Sequence, residues 1–208
     1  MTAPSIRVLI LDDHPVVRFG IAAIIGSQPD MEVIGQASRG REAIEIYRKH
    51  HPDVTLIDLR LPDISGVQVI RSIRSFDKDA RLMVITTYDG DEDIFQAIRA
   101  GAAGYIIKGM SHEILLDGIR QVMSGRHFVP EEIATKLDTR DPMATLSERE
   151  HQVLRHLVQG KSNKEIASDL GLTEATVKGY VSAILAHLDV ADRTQAVVIA
   201  LRRGLVHL

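Results

Sequence analysis

The chain has 208 residues, a formal net charge of −3 and no cysteine, and 45% of its residues are hydrophobic. The lack of cysteine excludes disulfides and thiolate metal sites. No apolar run approaches the roughly 20 residues that span a bilayer, and the chain does not begin with the apolar core of a signal peptide. These features predict a globular cytoplasmic protein with one large domain or two small ones.

The first 127 residues alternate short apolar strands with amphipathic helices. The predicted strands lie at residues 5–11, 32–37, 54–58, 81–86 and 104–107. Short connections and right-handed crossovers turn this alternation into a flavodoxin-like, doubly wound sheet of five parallel strands. The predicted fold class is therefore α/β for residues 1–127.

Prolines and a run of mixed charges interrupt this pattern at residues 128–144, which we predict to be a linker with a short helix at 131–137. The remaining residues, 145–208, show only helical periodicity. Ser147-Glu-Arg-Glu150 and Ser162-Asn-Lys-Glu165 are capping boxes that open two of the helices.

A further helix at 174–188 follows a short turn that contains a glycine, and two helices joined in this way are typical of a helix-turn-helix. Residues 142–208 hold 8 Lys and Arg against 7 Asp and Glu, so charge alone does not indicate nucleic acid. We predict a small all-α helix-turn-helix domain after the linker.

Polar side chains follow or end four of the predicted strands. Asp12 and Asp13 follow the first strand, and Asp58 ends the third. Thr86 ends the fourth strand, and Lys108 follows the fifth. In a sheet of order 2-1-3-4-5 these strand ends are neighbours, so three carboxylates, a hydroxyl and an ammonium should converge.

Clustered carboxylates repel one another, and Mg²⁺ with oxygen ligands relieves that repulsion. One carboxylate can then act as a nucleophile toward a phosphoryl group, and Asp58 is the predicted acceptor. Lys108 would bind the phosphoryl oxygens, and Thr86 would donate a hydrogen bond to them. Each residue alone would more often be a turn or a helix cap, so the prediction rests on their coincidence.

At this point the sequence resembles a known family. Residues 5–125 resemble the receiver domain of two-component response regulators, and residues 145–208 resemble the LuxR-type DNA-binding domain, as in the NarL/FixJ class. The receiver motifs are Asp12-Asp13-His14-Pro15, Asp58-Leu-Arg-Leu-Pro62, Thr86, Gly101-Ala-Ala-Gly104-Tyr105 and Lys108. The LuxR-type motifs are Leu146-Ser-Glu-Arg-Glu150, Asn163-Lys-Glu-Ile-Ala167, Thr176-Val-Lys178 and Arg193-Thr-Gln-Ala196.

The resemblance implies that Asp58 takes phosphate from a sensor histidine kinase or a small phosphodonor, and that the protein is not a turnover enzyme. It also implies that Asp12, Asp13 and Asp58 hold Mg²⁺ with the backbone carbonyl of Arg60. Thr86 and Tyr105 would form a switch pair, in which Tyr105 turns inward on phosphorylation. The phosphorylated protein would form a homodimer on double-stranded DNA and regulate transcription.

Two features depart from the family pattern. Gly109 follows Lys108 where many receiver domains have a cis proline, so we expect no cis peptide there. The recognition helix is also unusual, because its outward face carries small residues such as Gly179 and Ser182. The predicted DNA-contacting residues are Lys161, Lys164, Thr176, Lys178, Gly179, Ser182 and Arg193.

Several alternatives remain open at the sequence level. The small-residue face of the helix at 174–188 could bind a protein, giving a phosphorylation-controlled interaction regulator with weak or lost sequence-specific DNA binding. A hydrolase with Asp58 as nucleophile is disfavoured, because no second acid–base pair is evident.

Two side-chain assignments are equally open. Arg193 could be structural, paired with Glu148 or Glu150, rather than a DNA contact. His14 is expected to pack locally rather than bind metal. The histidines His151, His156, His187 and His207 lack a metal-ligand spacing and are expected on the surface.

Overall fold

The computed structural model describes residues 5–87, 90–138 and 146–206. The strands are β1 (Ile6–Leu11), β2 (Met31–Ala37), β3 (Val54–Ile57), β4 (Leu82–Thr86) and β5 (Gly104–Ile107). The helices that follow them are α1 (Pro15–Gly26), α2 (Gly40–His50), α3 (Gly66–Phe76), α4 (Asp91–Ala100), α5 (His112–Met123) and α6 (Glu131–Asp138). The remaining helices are α7 (Glu148–Val158), α8 (Asn163–Leu170), α9 (Glu174–His187) and α10 (Arg193–Arg202). The chain divides into two compact units, one made mostly by residues up to Leu137 and the other mostly by residues from Asp138 onward.

The first unit is a five-stranded sheet of order β2-β1-β3-β4-β5, with every adjacent pair parallel. This confirms the predicted flavodoxin-like class. Successive side chains of a strand alternate between the faces, so β1 supplies Leu9 and Leu11 to one core and Val8 and Ile10 to the other. Both faces are covered, and the buried polar residues Asp12, Asp58 and Thr86 lie at the carboxyl ends of three strands.

Helix α3 begins so close to the end of β3 that its first residue has no room for a side chain. Ser65 caps α3, since its Oγ accepts from the Gln68 amide while the Gln68 side chain accepts from the Ser65 amide. A Cβ atom on Gly66 would lie 2.2 Å from the carbonyl oxygen of Asp58 and 2.9 Å from the Cα of Leu59. Gly66 therefore allows α3 to approach the backbone that carries Asp58.

Replacing Gly66 by alanine should lower the free energy of unfolding by about 1–3 kcal/mol, because backbone atoms have to shift to admit the methyl group. Gly20→Ala in α1 is the matched control, since a Cβ there meets no atom within 4 Å. Alanine is favoured over glycine inside a helix by about 1 kcal/mol, so the control should be at least as stable as the wild type. Urea unfolding measures both variants, and equal stabilities would contradict the close approach.

The segment after α5 differs from the predicted linker. The amide of Tyr105 donates to the Phe128 carbonyl at 2.9 Å, and the amide of Phe128 donates to the Ala103 carbonyl at 2.9 Å. Ile133, on α6, is fully buried in the core that also holds Tyr105. The short helix expected at 131–137 is present as α6. Phe128 and Ile133 are not part of a free linker, because their apolar side chains complete the cores of the first unit. The predicted linker residues 139–144 lie outside the described residues.

The second unit consists of helices α7 to α10 around a single core. Both predicted capping boxes are present, at Ser147 for α7 and at Ser162 for α8. Gly171 ends α8 in the left-handed conformation with φ of 64°, which reverses the chain into α9. The inner side of α9 buries Val177 and Ile184, Leu188 follows α9 in the same core, and the residues on the outer side of the helix are exposed. Helices α8 and α9 are thus the predicted helix-turn-helix.

Within the parts of the chain that the structure describes, no helix is both long enough and apolar enough to cross a membrane.

Candidate functional site

The carboxyl ends of β1, β3, β4 and β5 carry polar side chains that are withdrawn from solvent. Asp12 directly follows β1 and is fully buried, and Asp58 directly follows β3 and is 2% exposed. Thr86, the last residue of β4, is also fully buried. Burial of carboxylates is costly without a compensating charge, so the sheet has to supply one nearby.

That charge is Lys108, which follows β5. Its Nζ lies 2.7 Å from Oδ2 of Asp12 and 2.5 Å from Oδ2 of Asp58. Burial lowers the pKa of Lys108, but its bonds to the two carboxylates outweigh this and raise the pKa above its ordinary value. One ammonium group therefore links the ends of three strands, and the ion pair contains two of the three predicted acidic residues.

Gly109 sets the chain direction after Lys108. Its φ of 105° lies in a region that side chains rarely adopt, and the Lys108 amide donates to the Thr86 carbonyl at 2.7 Å. The described residues contain no cis peptide bond, as expected from the glycine at this position.

The outer part of the site holds Asp13 and His14. The Asp13 side chain is 33% exposed, and its Oδ1 lies 2.7 Å from Nδ1 of His14. His14, which was expected to pack locally, has a side chain that is 65% exposed and contacts the adjacent Asp13. The short loop after β1 points this imidazole outward beside the carboxylates, away from either core.

One potential ligand atom from each of Asp12, Asp13, His14 and Asp58 falls in a group whose members lie within 4.8 Å of one another. Carboxylate oxygens in such a cluster suit a hard divalent cation, so the donor set fits a metal site. The Arg60 amide donates to Oδ1 of Asp58 at 3.3 Å, which places the Arg60 backbone beside the Asp58 carboxylate.

Arg18 is a contributor that sequence reasoning missed. Its guanidinium donates to the carbonyl oxygen of Asp12 at 2.6 Å from one turn into α1. Its position four residues after His14 in the following helix was the available signal. Arg18 holds the backbone of the loop that presents Asp12 and Asp13.

The predicted switch residues occupy adjacent strands. The Cα register pairs Val84 with Tyr105 and Thr86 with Ile107. Since alternate residues share a face, Thr86 and Tyr105 belong to the same face of the sheet. Tyr105 is fully buried, so any rearrangement of its ring starts from a buried position and not from solvent.

In the second unit, the predicted DNA-contacting residues divide into two groups. The exposed group is Lys164, Thr176, Lys178, Gly179 and Ser182. The second group, Lys161 and Arg193, is half-buried and engaged within the protein. Lys161 donates to Asp169 at 2.8 Å, and the Arg193 guanidinium donates to the Lys161 carbonyl.

Arg193 is therefore held structurally, but its partner differs from the predicted Glu148 or Glu150. Glu150 is instead bonded to Ser147 at the start of α7, and it lies 3.1 Å from Nδ1 of His187. Among the histidines expected on the surface, His156 has a side chain that is 20% exposed and lies 3.7 Å from Asp169, and His207 lies outside the described residues.

Helix α9 offers a substitution that separates helix stability from recognition. A Cβ on Gly179 would meet no atom within 4 Å, so Gly179→Ala should stabilise the second unit by up to about 1 kcal/mol. If a phosphate backbone approaches Gly179 closely, the same variant should bind DNA more weakly. Thermal unfolding and a DNA titration measure the two effects, and a less stable variant would contradict the open surroundings of Gly179.

Each of the two units matches a known protein family. Residues 8–120 match the family "Response regulator receiver domain", and residues 144–200 match "Bacterial regulatory proteins, luxR family". The transcriptional regulatory protein LiaR of Bacillus subtilis is 38% identical over 210 residues, which cover 97% of this chain and 100% of LiaR. The transcriptional activator DevR/DosR of Mycobacterium tuberculosis is 36% identical over 203 residues, with 94% of each chain covered.

Solved structures agree with this placement. The response regulator ChrA of a heme-sensing two-component system is 35% identical with a TM-score of 0.60, over 98% of this chain and 100% of ChrA. The receiver domain of a putative NarL from Mycobacterium tuberculosis is 31% identical with a TM-score of 0.58, over 60% of this chain and 100% of that domain. The chain therefore belongs to the response regulators that join a receiver domain to a LuxR-type DNA-binding domain and regulate transcription.

Proposed function

We propose that phosphorylation of Asp58 by a sensor histidine kinase or a small phosphodonor controls the DNA-binding domain. The observation that carries this proposal is the pairing of Lys108 with both Asp12 and Asp58, at 2.7 and 2.5 Å, where three parallel strands end. A cation at that position can bind phosphoryl oxygens as soon as Asp58 acts as nucleophile. The product is an acyl phosphate on Asp58, which decays by slow autodephosphorylation and not by enzymatic turnover.

The cation of the site is proposed to be Mg²⁺, held by Asp12, Asp13, Asp58 and the backbone carbonyl of Arg60. When bound, it neutralises charge on the incoming phosphoryl group and relieves repulsion among the carboxylates. In the protein itself, the Lys108 ammonium contacts the buried side chains of both Asp12 and Asp58.

Thr86 and Tyr105 are proposed to carry the signal away from Asp58. The hydroxyl of Thr86 would donate to the new phosphoryl group, since Thr86 ends the strand next to β3. When the Thr86 side chain moves toward the phosphoryl group, the packing around Tyr105 on the same face of the sheet changes. A shift between two packed arrangements of these side chains would let phosphorylation at Asp58 change the surface of the receiver domain.

The DNA-binding domain is proposed to place α9 in the major groove. Thr176, Lys178, Gly179 and Ser182 are exposed on α9, and Lys164 is exposed on α8. Lys161 and Arg193 are proposed to contribute by joining the loop before α8 to the start of α10, where the Arg193 guanidinium donates to the Lys161 carbonyl, and their charges add to the field around the phosphates. Phosphorylation is proposed to favour a homodimer that presents two such helices to half-sites about one helical turn apart.

The proposed receiver domain comprises residues 1–127 together with the segment through α6, because Phe128 and Ile133 pack on it. The linker is correspondingly confined to the residues between α6 and the DNA-binding domain, which begins near residue 145.

Selection from a random DNA pool tests this function, using the full chain with Mg²⁺ and beryllofluoride as a phosphoryl mimic. Enrichment of an inverted repeat, with binding that weakens as salt rises, is expected. The slope of DNA affinity against salt concentration, on logarithmic scales, counts the ions released on binding, and Lys178→Ala should lower it by about one. The matched change Lys161→Ala should lower this slope less, because Lys161 already pairs with Asp169.

A second candidate function is a phosphorylation-controlled interaction with another protein. The observation in its favour is the small-residue outer side of α9, where Gly179 and Ser182 leave room for a closely packed helix. A folded protein that binds beryllofluoride and enriches no DNA sequence would favour this candidate over DNA recognition.

A further inference from the structure

His14 places an imidazole nitrogen among the carboxylates of the receiver site. Its Nδ1 lies 2.7 Å from Oδ1 of Asp13 and 3.5 Å from Oδ1 of Asp12. One ring nitrogen of His14 also belongs to the group of potential ligand atoms that includes Asp58. The donor set at this edge of the sheet is therefore mixed, with one nitrogen beside the carboxylate oxygens.

The spacing of these atoms is compatible with a shared cation. Two ligands about 2.1 Å from an ion and at right angles to each other are roughly 3 Å apart, and the two distances of His14 Nδ1 lie on either side of that value. The amide of His14 also donates to Oδ1 of Asp12 at 2.9 Å, which fixes the backbone from which the imidazole projects. At 65% exposure, the side chain is open to ions from solvent.

We propose that His14 is a metal ligand that sets the cation preference of this site, an inference that rests on the proposed metal-dependent phosphorylation of Asp58. Mg²⁺ prefers oxygen ligands, whereas imidazole nitrogen binds Mn²⁺ and the later first-row metals more readily. The nitrogen therefore raises the affinity for Mn²⁺ relative to Mg²⁺, so the receiver domain accepts either ion.

A purely structural role makes a different prediction. If Nδ1 only donates a hydrogen bond to Asp13, it positions that carboxylate for every cation alike. Loss of the imidazole would then weaken Mg²⁺ and Mn²⁺ binding by the same factor, and no nitrogen would be bonded to the ion.

Pulsed electron paramagnetic resonance of the full chain loaded with Mn²⁺ distinguishes these roles directly. The wild type should show coupling between Mn²⁺ and an imidazole nitrogen, and His14→Ala should lose it. His112→Ala is the matched control, because His112 is 60% exposed and lies 3.2 Å from Glu113 outside the carboxylate group. This control variant should keep the coupling.

Metal titrations of the same proteins provide the second readout. His14→Ala should weaken Mn²⁺ binding roughly tenfold while changing Mg²⁺ binding by no more than about twofold. Mn²⁺ that binds without nitrogen coupling, or an equal loss for both ions, overturns the role of His14 and leaves the carboxylate site intact. Failure of the wild type to bind either ion would overturn both this inference and the proposed metal site.

Discussion

Full-length protein carrying Asp58→Asn should take up no phosphoryl group from acetyl phosphate in the presence of Mg²⁺, whereas the wild type should gain one. The carboxylate oxygen is the nucleophile of the proposed reaction, and an amide does not replace it. The fold should survive, because asparagine has nearly the same shape and Lys108 keeps its 2.7 Å contact with Asp12. Intact-mass spectrometry measures the uptake.

Asp53→Asn is the matched control for this experiment. Asp53 directly precedes β3, at the opposite end from Asp58, and its Oδ2 accepts from the amide of Arg7 at 2.8 Å, so it is a carboxylate next to the same strand but outside the site. This variant should be labelled as efficiently as the wild type. Uptake by Asp58→Asn equal to that of the wild type would refute Asp58 as the acceptor.

Replacing Lys108 by methionine should lower the free energy of unfolding by about 3–5 kcal/mol in a metal chelator. The substitution keeps the bulk of the side chain but leaves the buried carboxylates of Asp12 and Asp58 without a counter-charge, and stranding a buried charge carries a cost of that size. Mg²⁺ should restore more stability to this variant than to the wild type, because a cation at the carboxylates replaces part of the missing charge.

A double-mutant cycle isolates the ion pair. Asp58→Asn combined with Lys108→Met should be less destabilised than the sum of the single changes, since each single change removes the same interaction. Lys49→Met is the control, because Lys49 is exposed on α2. Chemical denaturation with and without Mg²⁺ measures the four proteins of the cycle and the Lys49→Met control, and a Lys108→Met variant as stable as Lys49→Met in chelator would contradict the buried pair.

The parallel sheet and its polar edge were predictable because their signals are local. Strand β3 is a mostly apolar segment that Asp58 directly follows, and capping boxes mark the starts of α7 and α8. A parallel sheet brings the carboxyl ends of its strands to one edge whatever the details of packing, so Asp58 and Lys108 could be brought together from their order alone.

The engaged basic residues of the DNA-binding domain could not be predicted in the same way. Arg193 bonds the carbonyl of Lys161, 32 residues earlier, while Glu150, its predicted partner, contacts Ser147 and His187. Several acceptors lie within reach of a long guanidinium side chain, and shifts of about an ångström between packed helices decide which of them it meets.

Taken by itself, the sequence determined the order of strands and helices, the acidic edge of the sheet and the helix-turn-helix, because apolar periodicity and caps act between residues close in the chain. Only the tertiary structure decided that Lys108 pairs with two carboxylates, that His14 turns outward to Asp13, and that Phe128 joins β5. These contacts join segments that are distant in sequence or depend on the direction of one side chain. These contacts are determined by the packing of the folded chain and not by a local sequence pattern.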